Sequence, residues 1–267
     1  MPPGPPPSGG RLDVTEEDAA LVVRIANPDR ANALDDAILD GLASLLNGPR
    51  AAAARCVLLA GAGERHFSAG LDLGSRSADE LAAYLQQGER RIGRAASAIA
   101  RCPVPVVGVL NGAVYGGALE LAIACDWRIA ARGIRLGMPA ARIGVVYAPD
   151  GLRRFVAALG PSRARRLFLT ARPVDADEAL ALGLVEQVVE PAELWDAARA
   201  AAADIAASAP IAVGGTRAII RELVEPDLPT EVQRRAAEWR GRAFASGDFR
   251  EGLAAFRDRR PPGFRGA

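Results

Sequence analysis

With 267 residues, half of them apolar, the chain can bury a full core as one large domain or as a domain with an appendage. A net charge of +1 removes the electrostatic argument for nucleic acid or an anionic membrane as partner. No apolar run reaches the length of a membrane span, and a single histidine with three scattered cysteines, Cys56, Cys102 and Cys125, argues against a bound metal and for a reducing, cytoplasmic setting.

Residues 1–10, MPPGPPPSGG, have neither a basic n-region nor an apolar h-region, and are expected to be a disordered Pro/Gly tail rather than a signal peptide. Leu21 to Ile25 reads as a short apolar strand that ends at NPDRANALDD. Asp35 or Asp36 then starts a helix carrying Ile38, Leu39, Leu42, Leu45 and Leu46 at three-to-four spacing, stopped by Gly48 and Pro49. Cys56 to Leu59 is a buried strand, and Glu80 to Ile99 a long alanine-rich helix. Pro103 to Leu110 is a strand whose prolines sit at its start, where a missing N–H is tolerated. Ala118 to Ala124 is a helix and Trp127 to Ala130 a strand. Continuously apolar strands alternating with helices predict a parallel sheet covered on both faces. From Pro191 to Phe256 the pattern is nearly all helix, which suits an appendage packed on a neighbouring subunit. These boundaries give a core over residues 11–200 and a helical C-terminal region over 201–267.

Two glycine-bearing loops, HFSAGLDL at His66 to Leu73 and NGAVYGGALELAIACD at Asn111 to Asp126, each bare backbone N–H groups beside a helix start. Two such donors aimed at one oxygen make an oxyanion hole, the device that stabilises an enolate next to a thioester. A carboxylate beside an apolar acyl pocket, as Glu120 would be, gains proton affinity and suits acid–base work. Asp126, at a helix-to-strand junction, reads as structural. Arg153, Arg154, Arg163, Arg165 and Arg166 read as a solvated helix face. His66 lies two residues from Ser68, but no acid is evident to orient its imidazole, so a serine hydrolase does not fit.

The segments NPDRANAL, GERHFSAGLDL, CPVPVVGVLNGAVYGGALELAIACD, LFLTARPVDADEALALGLVEQVV and EGLAAFRDRR, in this order and spacing, resemble the crotonase, or enoyl-CoA hydratase/isomerase, family over Leu21 to Phe264. The resemblance implies an α/β fold, a crotonase-like spiral of ββα units with a helical C-terminal region, assembled as a homotrimer or homohexamer. It implies an acyl-CoA substrate and no separate cofactor, coenzyme A being part of the substrate. It assigns the oxyanion donors to the amides of Leu71 and Gly117, and the first catalytic carboxylate to Glu120. A side chain at Gly117 is expected to block the thioester.

This sequence departs from the pattern at Ala140, which follows Pro139 where hydratases of the family carry a second glutamate; ordinary hydration is weakened by its loss. Tyr147 matches a functional tyrosine of methylmalonyl-CoA decarboxylases, whose hydroxyl would hold a carboxylate, and Asp150 is an alternative second acid, with Arg142 available to pair with either acid. By the same resemblance Arg30 and Ala31 line the approach of CoA, the backbone at Ser68 and Ala69 cradles adenine, and Phe256 and Arg259 reach the CoA of an adjacent subunit. Gly74 stands where many hydratases have a nucleotide-contacting lysine, with Arg76 close by. Hydration, double-bond isomerisation and decarboxylation therefore compete, hydratase/isomerase chemistry coming first, and a non-catalytic acyl-CoA-binding protein is the reading from a different class.

Overall fold

A computed structural model describes residues 9–73, 78–224 and 230–265 of the protein; the tail through residue 8, Gly74, Arg76 and the break from Pro226 to Pro229 lie outside the described residues. The chain opens with a hairpin in which β1 (Arg11–Glu17) runs antiparallel to β2 (Ala20–Ala26). Helix α1 (Asp36–Leu46) starts where the sequence places it, because the Asp35 carboxylate accepts the Ile38 amide at 2.9 Å. After the short α2 (Pro49–Ala53), one pattern repeats three times. It runs through β3 (Cys56–Gly61), β4 (His66–Ser68) and α3 (Ala78–Arg101), then β5 (Val106–Leu110), β6 (Ala113–Tyr115) and α4 (Gly117–Ala124). The third turn is β7 (Trp127–Ala131), β8 (Arg135–Gly137) and α5 (Pro149–Thr170). Then follow β9 (Val174–Asp175), α6 (Ala176–Leu182), β10 (Gln187–Val189), α7 (Leu194–Ala207), α8 (Pro210–Val224), α9 (Thr230–Ala245) and α10 (Gly247–Arg257).

The first strand of each unit joins a six-stranded sheet in the order β1-β2-β3-β5-β7-β10, parallel throughout except for β1. The second strand joins a small sheet ordered β4-β6-β8-β9. Each unit thus climbs one sheet, crosses to the other and returns by a helix, which is the ββα spiral the family resemblance implies. Every residue of β3 and β5 is buried, as continuous apolar runs require in a sheet covered on both faces. The strand expected from Pro103 begins only at Val106. Pro105 still contributes, its carbonyl accepting the Val57 amide at 2.8 Å.

The stretch after Glu190 is not all appendage. Leu194, Ala198, Ala202 and Ile205 of α7 are buried, and the helix lies against β3, β5 and β7. It covers a face of the main sheet that would otherwise meet water, and the line drawn between residues 200 and 201 falls inside it. Helix α8 is different, with no buried residue and with Ile211, Ile219, Ile220, Leu223 and Val224 exposed. No helix among the described residues is long and apolar enough to cross a membrane.

Candidate active site

The first glycine loop is fixed from two sides. Leu34 forms an isolated parallel bridge with Leu71: its amide donates to Gly70 O at 2.8 Å, and its carbonyl accepts from Asp72 N at 3.4 Å. In a parallel bridge the central residue of the opposite segment turns its own N–H and C=O outward. The Leu71 amide therefore points away from Leu34, and among the described residues it has no acceptor. Gly70 takes φ +87°; a β-carbon there would stand 2.7 Å from Tyr115 O and 3.4 Å from Gly117 N. Only glycine allows the first loop to touch the second.

The NPDRANAL segment braces this loop. Ala31 accepts the Ala69 amide at 3.0 Å, and Asn32, buried, accepts from Asn27 N and donates to Ala62 O and His66 O. Ser68 is buried and its hydroxyl accepts the Gly70 amide at 3.2 Å, while Ala69 is exposed. Arg30, on the surface, ion-pairs with Asp72. Of the four residues assigned to the approach of CoA, Arg30 and Ala69 are exposed, Ala31 is half-buried and Ser68 is fully buried beneath them.

The second loop ends at Gly116, whose φ 56° and ψ −127° are open to glycine alone. Gly117 then begins α4 at the positive end of the helix, its amide without an acceptor among the described residues. Glycine at 117 also has a packing reason. A β-carbon there would fall 2.2 Å from Ile92 Cδ1, so a side chain would displace the end of the Ile92 side chain of α3 behind the loop. Gly88, one turn earlier on α3, does the same for Leu71, whose Cδ1 would lie 2.6 Å from a β-carbon at 88. Two consecutive turns of α3 thereby set both loops.

Glu120 lies one residue short of a full turn past Gly117, on a helix buried over nearly its whole length. Its carboxylate is closed from water and held at both oxygens. Tyr147 donates its hydroxyl to Oε2 at 2.7 Å, and Arg154 donates Nη1 to Oε1 at 2.8 Å and Nη2 to Ser97 Oγ at 2.9 Å. A carboxylate offers about four acceptor sites, so Glu120 keeps capacity for a substrate proton. Burial pushes its carboxyl above the usual range, against the opposing pull of Arg154 and Tyr147. Burial, with the Glu120 charge beside it, also pushes the Tyr147 phenol well up, so the hydroxyl stays protonated and donates. Gly151 admits this cluster: a β-carbon there would meet Tyr147 Cε1 at 2.5 Å and Glu120 Oε2 at 2.8 Å.

Two expectations are corrected here. Arg154 is not on a solvated face; its side chain is 5% exposed and paired with Glu120. Arg153 is also mostly buried, whereas Arg163, Arg165 and Arg166 are exposed as expected. Arg142, offered as the partner of either acid, is exposed on the 3-10 turn Ala140–Ile143 and pairs with neither among the described residues. The cation for Glu120 is Arg154, and the one nearest Asp150 is Arg153, at 3.9 Å. Sequence reasoning missed Arg154 and Ser97. The signal was present, because Gly151, Arg154, Phe155 and Leu159 share one buried stripe of α5, and a cation on such a stripe needs an anion.

The remaining positions lie outside the cluster. Ala140 is buried and brings no carboxylate. Asp150 stands in the first turn of α5 with its side chain 65% exposed. Phe256 is exposed near the end of α10, and Arg259 follows it on the surface with a left-handed φ of 52°. Asp126 is structural: it accepts Val106 N at 2.7 Å and pairs with Arg217 of α8 at 2.7 Å.

The sequence profile described as enoyl-CoA hydratase/isomerase matches residues 15–267. A putative enoyl-CoA hydratase/isomerase of Bacillus subtilis, YngF, is 35% identical over 95% of this chain and 96% of its own. The crotonyl-CoA hydratase of Syntrophomonas wolfei is 31% identical over 93% and 95%. Among solved structures, a methylmalonyl-CoA decarboxylase superposes with a TM-score of 0.83 at 30% identity, over 96% of this chain and 98% of that one.

Proposed function

The chain belongs to the enoyl-CoA hydratase/isomerase family, and we propose that it shifts a proton along an enoyl-CoA through an enolate held by the Leu71 and Gly117 amides. Glu120 takes a proton from the carbon next to the thioester carbonyl, the electron pair moves onto the carbonyl oxygen, and the same carboxyl returns the proton two carbons further along. The double bond moves by one position, and nothing else is consumed. The observation that carries this reading is a buried, proton-avid carboxylate in the first turn of the helix whose leading amide is free. Hydration also needs a second group to hold the attacking water, and Ala140 supplies none.

The test is a panel of CoA esters followed by mass spectrometry: crotonyl-CoA, a 3-enoyl-CoA and methylmalonyl-CoA. Conversion of the 3-enoyl ester is expected to exceed hydration of crotonyl-CoA by about tenfold or more. Faster hydration, or no conversion of the 3-enoyl ester, overturns the reading. Decarboxylation is the second reading, favoured by the likeness to methylmalonyl-CoA decarboxylase and by Tyr147. It has to contend with the Tyr147 hydroxyl being spent on Glu120 rather than on a substrate carboxylate.

Coenzyme A enters as part of the substrate, along Arg30, Ala31, Ser68 and Ala69, with Phe256 and Arg259 serving an adjacent subunit. The cytoplasm is the compartment we assign, its reducing conditions suiting three buried free cysteines. The exposed apolar residues of α8 and Trp239 of α9 are the surface we assign to a trimer or a pair of trimers. Sedimentation at micromolar concentration should give three or six times the 27.8 kDa chain mass, and Leu223→Asp with Ile219→Asp should lower it. A wild-type monomer would remove the assembly from the proposal.

A further inference from the structure

A cavity of about 1100 Å³ opens on the far side of Glu120, between α1, α3, α9 and the start of α5. Among the described residues, six arginines and three acids line it, an excess of three positive charges. Two of those arginines are matched by buried acids, Arg154 by Glu120 and Arg240 by Glu89. Arg153 is not. Its Nε and Nη1 are buried with no hydrogen-bond partner, and its Nη2 has only Asp150 Oδ1, at 3.9 Å, from a carboxylate largely in solvent. A buried guanidinium left in this state is costly. Both edges by which a guanidinium grips a carboxylate pair Nη2 with another nitrogen, and at Arg153 that second nitrogen is unpartnered on either edge.

A second feature points the same way. The first turn of α5 lines the cavity, Ala148 at its N-cap offers no capping side chain, and Gly151 brings that turn against Glu120. The positive pole of the first segment of α5, which runs from Pro149 to the break at Gly160, therefore faces the space that Arg153 borders.

We propose that Arg153 and the start of α5 bind a carboxylate at the far end of the acyl group, so that the substrates are CoA monoesters of dicarboxylic acids. This rests on the reading of Glu120 as the proton carrier: Glu120 and Arg153 line the same cavity, so an acyl group held at Glu120 can extend toward Arg153. A carboxylate gripped by an arginine is stabilised in the ground state and resists loss of CO2. The bound carboxylate is accordingly one that the reaction retains, rather than a leaving group.

The probes are the CoA monoester of trans-3-hexenedioic acid, which ends in a carboxylate, and trans-3-hexenoyl-CoA, which ends in a methyl group at the same position; both carry the proton that Glu120 takes. Wild-type kcat/KM is expected to favour the dicarboxylic ester by about 10- to 100-fold, the range of a charge-assisted contact. Arg153→Met should lose that preference, and Arg153→Lys should recover part of it, which separates a binding role from a folding defect. Dissociation constants for both esters, measured by calorimetry, complete the test. Turnover of both esters without preference overturns the carboxylate site and leaves the proton-transfer reading standing. Tighter binding of the dicarboxylic ester, lost in Arg153→Met but with no turnover of either ester, supports the site and overturns the reaction. Equal binding without turnover overturns both.

Discussion

Glutamine in place of Glu120 should lower kcat by about 10²- to 10⁴-fold, the usual contribution of a positioned acid or base, while CoA esters still bind. The substitution is close to isosteric. The amide oxygen can accept either the Tyr147 hydroxyl or Arg154, now found at 2.7 and 2.8 Å. The two amides at Leu71 and Gly117 are main chain and are untouched, so the thioester keeps its seat. What is lost is the ability to take and return a proton. Kinetics of the two forms on the best ester of the panel, with binding by calorimetry, check this. A variant as fast as wild type on every ester would mean that Glu120 serves only to neutralise Arg154, and that the chain binds acyl-CoA without using it. Exchange of the α-proton into deuterated solvent gives an independent readout, since it requires only the first half of the reaction. The exchange should disappear with Glu120→Gln.

Much of the proposed site was legible because the donors assigned to it are backbone. A main-chain amide is announced by the glycines that let it approach, and Gly70, Gly116 and Gly117 punctuate the sequence at those points. Glu120 could be placed because it sits on the same short helix, at a fixed offset from Gly117. The main sheet was legible for a similar reason, since β3 and β5 are unbroken apolar runs and β2 and β7 are each interrupted by a single arginine, Arg24 and Arg128. The strands β4, β6, β8 and β9 are two or three residues long, too short for a period of two to register. Helix α7 could not be told from α8 by pattern, because both carry apolar residues at helical spacing, whether that face covers a sheet or is exposed. The role of Arg154 depends on the fold bringing α5 across α4, 34 residues away in sequence. Gly117 shows a subtler limit: the residue was picked out for its amide, yet the side chain it makes room for belongs to Ile92 on another helix.

Removing Arg154 should be the most damaging change to stability in the site. Arg154→Met keeps much of the side-chain volume and deletes the cation, leaving the Glu120 carboxylate buried with the Tyr147 hydroxyl alone. Breaking a buried pair from one side costs about 3–5 kcal/mol when the remaining charge stays ionised. Glu120 has a way out by binding a proton, which fixes the sign of the pH dependence. Its carboxyl already lies above the ordinary range through burial, and Arg154 is the largest influence holding it down. Without Arg154 it rises further. The deficit is then small at acid pH, where the group is protonated folded and unfolded alike. It stays small through the ordinary carboxylate range, where wild-type Glu120 is itself still protonated when folded; it grows as pH climbs from the raised folded value of wild type to the higher one of the variant, and levels off above that. Urea unfolding across that range should show the widening gap, and the acid limb of kcat against pH should move to higher pH. The double variant Glu120→Gln, Arg154→Met should be more stable than Arg154→Met alone near neutral pH, because no charge is left to strand. A single variant as stable as wild type at every pH, with an unmoved acid limb, would mean that Arg154 does not set the charge on Glu120, and the electrostatic account of the site would fall.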